Sequence, residues 1–392
     1  MDLGGRRRRS VGRPDRSANR IGRLTGCVGG AHYGAAVATL RDVSLLRLAA
    51  QRLVGERPPT VAATVRTMTA MQGQDLPGVL CSAALRTDGG SLAGVRAAMD
   101  AGEVVRSWPM RGTLHLVAAE DLGWMIAIGS PRVATSAARR QRELELDTAT
   151  LAKAGKVAVG ALEGGRALKR KDLFAVWEAA GISTEGQRGA HLLGHLAVSR
   201  VVCLGPTAGS EQALVLLDEW VPRPRQLTGD EAVAEWALRY FRSHGPATVA
   251  DFAWWTGLKV SDSRAAHAAV ADQLERLEVG GETYWLDPAT PARLDTCRAE
   301  ARAVHLLPGF DELLLGYRDR SAVLDKDQAD QLVPGGNGMF KASVVAGGRV
   351  VGTWRRPARG SDDGPEATAF TRFGRGIPAA ITRRWAAYPR DR

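Results

Sequence analysis

Apolar positions recur at helical spacing from Val43 onward, with Leu45, Leu46, Leu48, Ala49 and Leu53 forming the first run. Pro58-Pro59 interrupts it, and Thr60 is placed to cap a second helix that runs through Met68. Leu92 to Met99 is periodic again. The period then changes: Val104-Val-Arg-Ser-Trp108 and Thr113-Leu-His-Leu-Val117 read as two strands joined by Pro109-Met-Arg-Gly112. Helices followed by a two-stranded wing predict a winged-helix unit over residues 40–118.

The same order of elements returns twice. Lys171 to Trp177, His191 to Leu196 and Val201 to Leu204 predict helix, helix and strand within residues 119–228. Thr248 to Trp255, a helix from Ala265 to Leu277, and a strand at Thr283 to Leu286 repeat it within residues 229–302. Past Pro288 strands and turns take over. Val344-Val-Ala-Gly347-Gly348-Arg349-Val-Val is a hairpin signal with paired glycines at its turn, and Asn337-Gly338 marks a second turn. The expected fold is therefore α+β: tandem winged-helix (helix-turn-helix) motifs with a small C-terminal β-domain over residues 303–392.

Composition narrows the class of partner. The 392 residues carry 53 Lys and Arg against 42 Asp and Glu, a formal net charge of +11 that suits a polyanion such as double-stranded DNA. Residues 1–23 hold eight of the arginines against Asp2 and Asp15, so more than half of the excess sits in this leading segment. Residues 1–39 are Arg- and Gly-rich without helical period and are expected to be disordered, either an arm for non-specific phosphate contacts or an extension upstream of the functional start. No apolar run reaches the length of a membrane span or a signal-peptide core. Cys27, Cys81, Cys203 and Cys297 are isolated, which points to a reducing cytoplasm, no disulfide framework and no metal site.

The candidate chemistry lies at Met68-Thr-Ala-Met-Gln72-Gly73-Gln74-Asp75. Residues i and i+2 share no face of a helix but point the same way in an extended or turning segment, so Gln72 and Gln74 converge if the helix ends near Met71. Pro77 favours such a junction, because it disfavours the helical conformation at Leu76. The plainer reading of the pair is two solvated amides. Asp75 is a rival general base, although an acidic residue at a helix boundary more commonly caps or pairs.

Two further segments accompany this one: Arg106-Ser-Trp108-Pro109-Met110-Arg111-Gly112-Thr113-Leu-His115-Leu, and His305-Leu-Leu-Pro308-Gly-Phe310-Asp311-Glu312-Leu-Leu-Leu-Gly316-Tyr317-Arg318-Asp319-Arg320. In this order, and with Asn337-Gly-Met-Phe340 through Gly352-Thr-Trp354-Arg355-Arg356, the chain from about Leu45 to Trp385 resembles the winged-helix DNA glycosylase family typified by AlkZ and YcaQ. Members carry a catalytic Gln-Φ-Gln or Gln-Φ-Asp motif, and Gln72-Gly73-Gln74 stands where the Gln-Φ-Gln form belongs, with Gly73 in place of a larger aliphatic residue.

The resemblance implies a glycosylase that excises N7-alkylpurines, with bulky or crosslinked adducts a possible extension, and leaves open general repair or self-resistance to a DNA-alkylating natural product. No catalytic lysine stands out, so a monofunctional enzyme is expected. Gln72 and Gln74 would be catalytic. Trp108, Met110, Arg111 and His115 could line the lesion pocket or contact phosphate, or form a wing with a packed Trp and a hydrogen-bonded His. The arginine clusters Arg355-Arg356 and Arg383-Arg384 read either as backbone-phosphate contacts, with Arg355 and Arg356 also candidates for the lesion pocket, or as solvated edge charges. Trp254-Trp255 could stack on a base or sit in the core. Asp311 and Glu312 read as structural, with Asp311 capping or pairing near Arg318 and Arg320. The expected state is a cytoplasmic, nucleoid-associated monomer without cofactor. The competing reading is a non-enzymatic regulator or architectural protein. It is weakened because the candidate recognition helices, His191 to Ala197 and Ala265 to Val270, are poor in base-reading Arg, Asn and Gln.

Overall fold

The structure is a computed structural model that describes residues 38–209, 211–357 and 364–390. The expected disordered arm thus lies outside the described residues except for Ala38 and Thr39, as does Cys27.

Helix α1 (Leu40–Ala50) opens with a capping box in which the Thr39 hydroxyl accepts from the Asp42 N–H and the Asp42 carboxylate accepts from the Thr39 N–H. Thr60 caps α2 (Val61–Met68) through the Ala63 N–H, at the position its sequence suggests. The helix ends three residues before Met71. Thr69 takes a positive φ of 70° and turns the chain directly into β1 (Ala70–Gln72), so Gln72 leaves a strand rather than a helix. Next come α3 (Leu76–Arg86), with Pro77 in its first turn, and α4 (Leu92–Asp100).

The first hairpin is β2 (Val104–Met110) and β3 (Thr113–Ala118), the second β4 (Val202–Ala208) and β5 (Glu211–Leu216). Both belong to one five-stranded sheet of order β1-β3-β2-β4-β5, bridged by the Arg106 to Leu204 pairing. A third hairpin, β6 (Glu275–Val279) and β7 (Glu282–Leu286), stands as its own two-stranded sheet. Here the expected helix from Ala265 to Leu277 is corrected. The helix spans Val260–Ala268, and Arg276-Leu-Glu-Val279 alternates polar and apolar residues, a period of two, within a strand that pairs with β7.

β8 (Val304–Leu307), β9 (Ser343–Ala346), β10 (Arg349–Arg355) and β11 (Glu366–Ala369) form an antiparallel sheet in the order β11-β10-β9-β8. Gly347 and Gly348, at φ 59° and 84°, supply the two positive-φ positions of its tight turn. This sheet shares a core with the first helices: Val65, Met68, Val79 and Leu80 pack in one cluster with Leu306, Val344, Trp354 and Trp385. Residues nearly three hundred positions apart in the chain therefore exclude water together.

One buried ion pair locks that junction. Arg86 on α3 donates from both terminal nitrogens to the Asp311 carboxylate at 2.8 Å, with both side chains fully buried. The Ser82 hydroxyl adds a third donor at 2.6 Å, and Asp311 caps the turn Glu312–Leu315 through the Leu313 N–H. Asp311 thus caps as expected, but its ionic partner is Arg86, not Arg318 or Arg320. Burial opposes the charge of Asp311, yet Arg86 and these donors hold its carboxyl below the ordinary range. Removing one partner leaves an uncompensated buried charge. Asp311→Leu is expected to cost about 3–5 kcal/mol of unfolding free energy, and the double variant Arg86→Met/Asp311→Leu distinctly less than the sum of its singles. Denaturant titration of the four proteins measures this; strictly additive losses would mean the pair is not coupled.

Candidate active site

The Gln72-Gly73-Gln74 segment continues β1 past its last paired residue. Gln72 lies opposite His115 on β3, and the Gly73 N–H donates to Leu114 O at 2.8 Å. The two amides are brought together. The Gln72 carboxamide oxygen accepts from the Gln74 N–H at 2.8 Å, and the Gln74 carboxamide oxygen accepts from the Leu114 N–H at 2.9 Å. Each oxygen keeps a second lone pair, and neither NH2 group meets a partner among the described residues. Gln72 is buried and Gln74 exposed.

Arg106 fastens the segment from the neighbouring strand. It donates to Gly73 O at 2.5 Å, to Gln74 O at 3.2 Å and to the Gln212 side-chain oxygen at 3.3 Å. A glycine at position 73 would be expected to loosen the backbone. Here both polar groups of its backbone are bound. A Cβ at this position would stand 3.3 Å from the backbone of His115, closer than most such contacts, so a small residue suits the tight seat on β3.

Beneath this segment lies Glu312. Its carboxylate accepts from the Gln72 N–H at 2.5 Å, from Trp255 Nε1 at 3.0 Å and from His244 Nε2 at 3.3 Å, with no exposure to solvent worth noting. Burial by itself would raise its pKa, but hydrogen bonding and charge from His244 and the Gln72 N–H hold it below the ordinary carboxylate range. Sequence reasoning gave Glu312 a structural reading and did not find His244 or Arg106. No spacing signal could connect Gln72 with a residue 240 positions away.

His115 is fully buried behind Gln72. Its Nδ1–H donates to Thr113 O at 3.0 Å, which leaves Nε2 to accept from Arg111 at 3.3 Å. Burial, then the adjacent Arg111 guanidinium, pushes its pKa down to about 3, so the imidazole is neutral. Arg111 sits at the hairpin turn with φ 54°, its guanidinium 5.0 Å from the Trp254 ring. Asp75 occupies the N-cap position of α3, where burial raises its carboxyl pKa against the Gly78 N–H, Arg106 and Arg356. Beside it opens a cavity of about 320 Å³ whose lining includes Asp75, Cys81, Trp354, Arg356 and Tyr388.

The other expected contacts divide. Met110 is buried in the central core and does not reach a pocket, because the end of β2 packs onto the helix Leu122–Glu143. Trp108 is half-buried against the core of the second helix group, with Leu168 and Phe174. Trp255 is buried and bonded to Glu312, whereas Trp254 reaches the surface side. Arg356 reaches the Asp75 cavity, 3.0 Å from the Cys81 sulfur. Arg355 pairs with Glu366 on the exposed edge, and Arg384 is bound to Val304 O, which leaves Arg383 on the surface.

A model of the family described as "DNA glycosylase AlkZ-like" matches residues 65–390. The chain is similar to an interstrand DNA cross-link repair glycosylase of Streptomyces sahachiroi, 26% identical over 337 residues that cover 81% of this chain and 88% of the relative. Among solved structures it is similar to the Streptomyces sahachiroi DNA glycosylase AlkZ, with a TM-score of 0.73 at 22% identity over 90% of this chain and 98% of that one; this likeness carries the fold.

The neutral His115 has a consequence for acid stability. A histidine whose folded pKa lies below 6.5, here about 3, withholds a proton that the unfolded chain binds, so its contribution is lost as pH falls through that window. His115→Gln is expected to reduce the slope of unfolding free energy against pH by about 1.4 kcal/mol per pH unit between pH 4 and 6. Denaturant midpoints across that range check it; equal slopes in the two proteins would show that His115 does titrate when folded.

Proposed function

The chain belongs to the AlkZ-like DNA glycosylase family, and from that premise we propose that it is a monofunctional enzyme excising cationic N7-alkylated purines from double-stranded DNA. We take bulky and interstrand-crosslinked adducts to be within its range, in keeping with its similarity to the interstrand DNA cross-link repair glycosylase of Streptomyces sahachiroi. It acts as a monomer, without metal or cofactor. Gln72 and Gln74 are the catalytic pair.

The observation that carries this reading is the junction of two uncharged carboxamides whose oxygens are each aligned by a backbone N–H. A carboxamide is no general base near neutral pH, and His115 is held neutral and buried behind the pair. Such a site favours a substrate that needs no proton. A guanine alkylated at N7 is already cationic and departs as a neutral base, so the barrier is reduced to stabilising an oxocarbenium-like sugar and placing water. The remaining lone pair of each carboxamide oxygen can face that cation or hold the water. Because the oxygens are anchored beforehand, little reorganisation is spent at the moment of reaction. Their NH2 groups are left to donate to the base or to a phosphate. The buried negative charge of Glu312 lies behind the same strand end and favours positive charge in front of it.

Release of free base from duplex DNA containing N7-methylguanine, under single-turnover conditions, tests the assignment. Gln72→Ala and Gln74→Ala are each expected to slow release by about a hundredfold or more, some 2.7 kcal/mol of barrier. Glu312→Gln, which keeps the shape but removes the charge, is expected to slow it by roughly tenfold with little change in DNA affinity. Bound duplex with no base release by the unaltered protein would replace this reading with that of a DNA-binding regulator or architectural protein.

A further inference from the structure

Beside His115, around the Trp254 ring, the structure collects two guanidiniums that form no ion pair among the described residues. The Arg111 guanidinium lies 5.0 Å from the centroid of the Trp254 ring, and that of Arg320 lies 5.2 Å from the same centroid and 5.1 Å from that of Phe340. Arg320 uses its Nε on Leu314 O at 2.8 Å, and its two terminal nitrogens meet no hydrogen-bond acceptor among the described residues. Arg111 gives one terminal nitrogen to His115, and its Nε is buried without a partner.

The nearby carboxylates are already occupied. Asp251 accepts from the backbone N–H groups of Arg318, Asp319 and Thr248 and faces Arg47. Asp319 accepts from the N–H and hydroxyl of Ser321, and Glu312 from Gln72, Trp255 and His244. Burial weighs against the charged form of both guanidiniums. Partly desolvated guanidiniums cost free energy that aromatic faces offset only in part, and the remainder is recovered when an anion arrives. The planar fork of arginine matches the paired oxygens of a phosphodiester.

We propose that Arg111 and Arg320, steadied by Trp254 and Phe340, form a phosphodiester subsite that holds the DNA backbone beside the nucleotide presented to Gln72 and Gln74. The inference rests on the reading of the chain as an enzyme of duplex DNA. Its role is positioning: the aromatic faces fix two cations that locate the backbone, and the uncharged amides are left to the sugar.

The test measures duplex binding separately from base release. Arg320→Ala in the full chain is expected to weaken binding of an N7-methylguanine duplex by about tenfold at low salt, and to reduce the slope of log affinity against log salt by about 0.9, the value for one duplex phosphate. Arg320→Lys, which keeps the charge but not the fork, should fall between. A series of duplexes in which one linkage near the lesion is a neutral methylphosphonate supplies the second arm. At one position the unaltered protein should lose affinity by the same factor, and there Arg320→Ala should lose nothing further. An unchanged salt slope in a normally folded Arg320→Ala protein, or a deficit that persists equally on every methylphosphonate duplex, overturns the proposal. Linkage-specific binding without base release would uphold the subsite while removing the glycosylase reading.

Discussion

The carboxylate of Glu312 accepts hydrogen bonds from the Gln72 backbone, from Trp255 and from His244, and it does so with almost no access to water. A buried carboxylate is tolerated only when its oxygens are satisfied, and here the donors come from a strand of the first sheet and from two helices some 180 residues later. Its neighbour Asp311 is satisfied in the same way by Arg86 and Ser82 of α3. Two consecutive acidic residues therefore hold the two ends of the Gln72-Gly73-Gln74 segment, one at the strand that leads into it and one at the helix that follows. The position of the amides depends on this double anchor more than on any property of the amides themselves.

The second consequence of that anchor is electrical. Gln72 and Gln74 carry no charge, His115 behind them is kept neutral, and the negative charge of Glu312 is fixed a strand's thickness away. In the proposed reading, a site arranged in this way offers dipoles and a field, which suits leaving groups that depart unaided. Positive charge stands to one side, on Arg111 and Arg320 around Trp254, and in the proposed role it would address an anionic backbone without opposing a cation at the amide pair. Arg106 belongs to neither group: its hydrogen bonds go to backbone carbonyls and to Gln212, and its burial draws its pKa down to about 10.

The same packing explains why a glycine can stand between the two glutamines. Freedom at Gly73 is removed by Leu114 O on one side and Arg106 on the other, so rigidity is supplied by β2 and β3 rather than by a bulky side chain. The fold also joins what the chain separates. The first two hairpins become one sheet through a single bridge at Arg106, and the C-terminal sheet closes the core begun by α2 and α3.

Much of the architecture was legible from residues a few positions apart. The cap at Thr60, the hairpin turn at Gly347-Gly348 and the strands of the first wing all follow from local hydrogen bonding and local alternation, which act over a turn or a pair of strands. The pattern misled where Ala265 to Leu277 could be read with either period, and pairing with β7 decided it for a strand at Glu275. It misled again past Pro288, where strands and turns were expected but helices Thr290–Arg302 and Ile377–Ala386 flank the C-terminal sheet. The amide pair itself was visible as a motif, as was the α+β class. What the sequence by itself could not determine is which side chains meet. Met110 and Arg111 are adjacent, yet one fills the core and the other lies over Trp254, because the helix Leu122–Glu143 covers only one side of the hairpin end. Likewise Gln72 finds Glu312, and Arg86 finds Asp311, across more than two hundred residues. Burial and ion pairing are properties of the assembled core, where water has been excluded, and no short-range pattern in the chain encodes them.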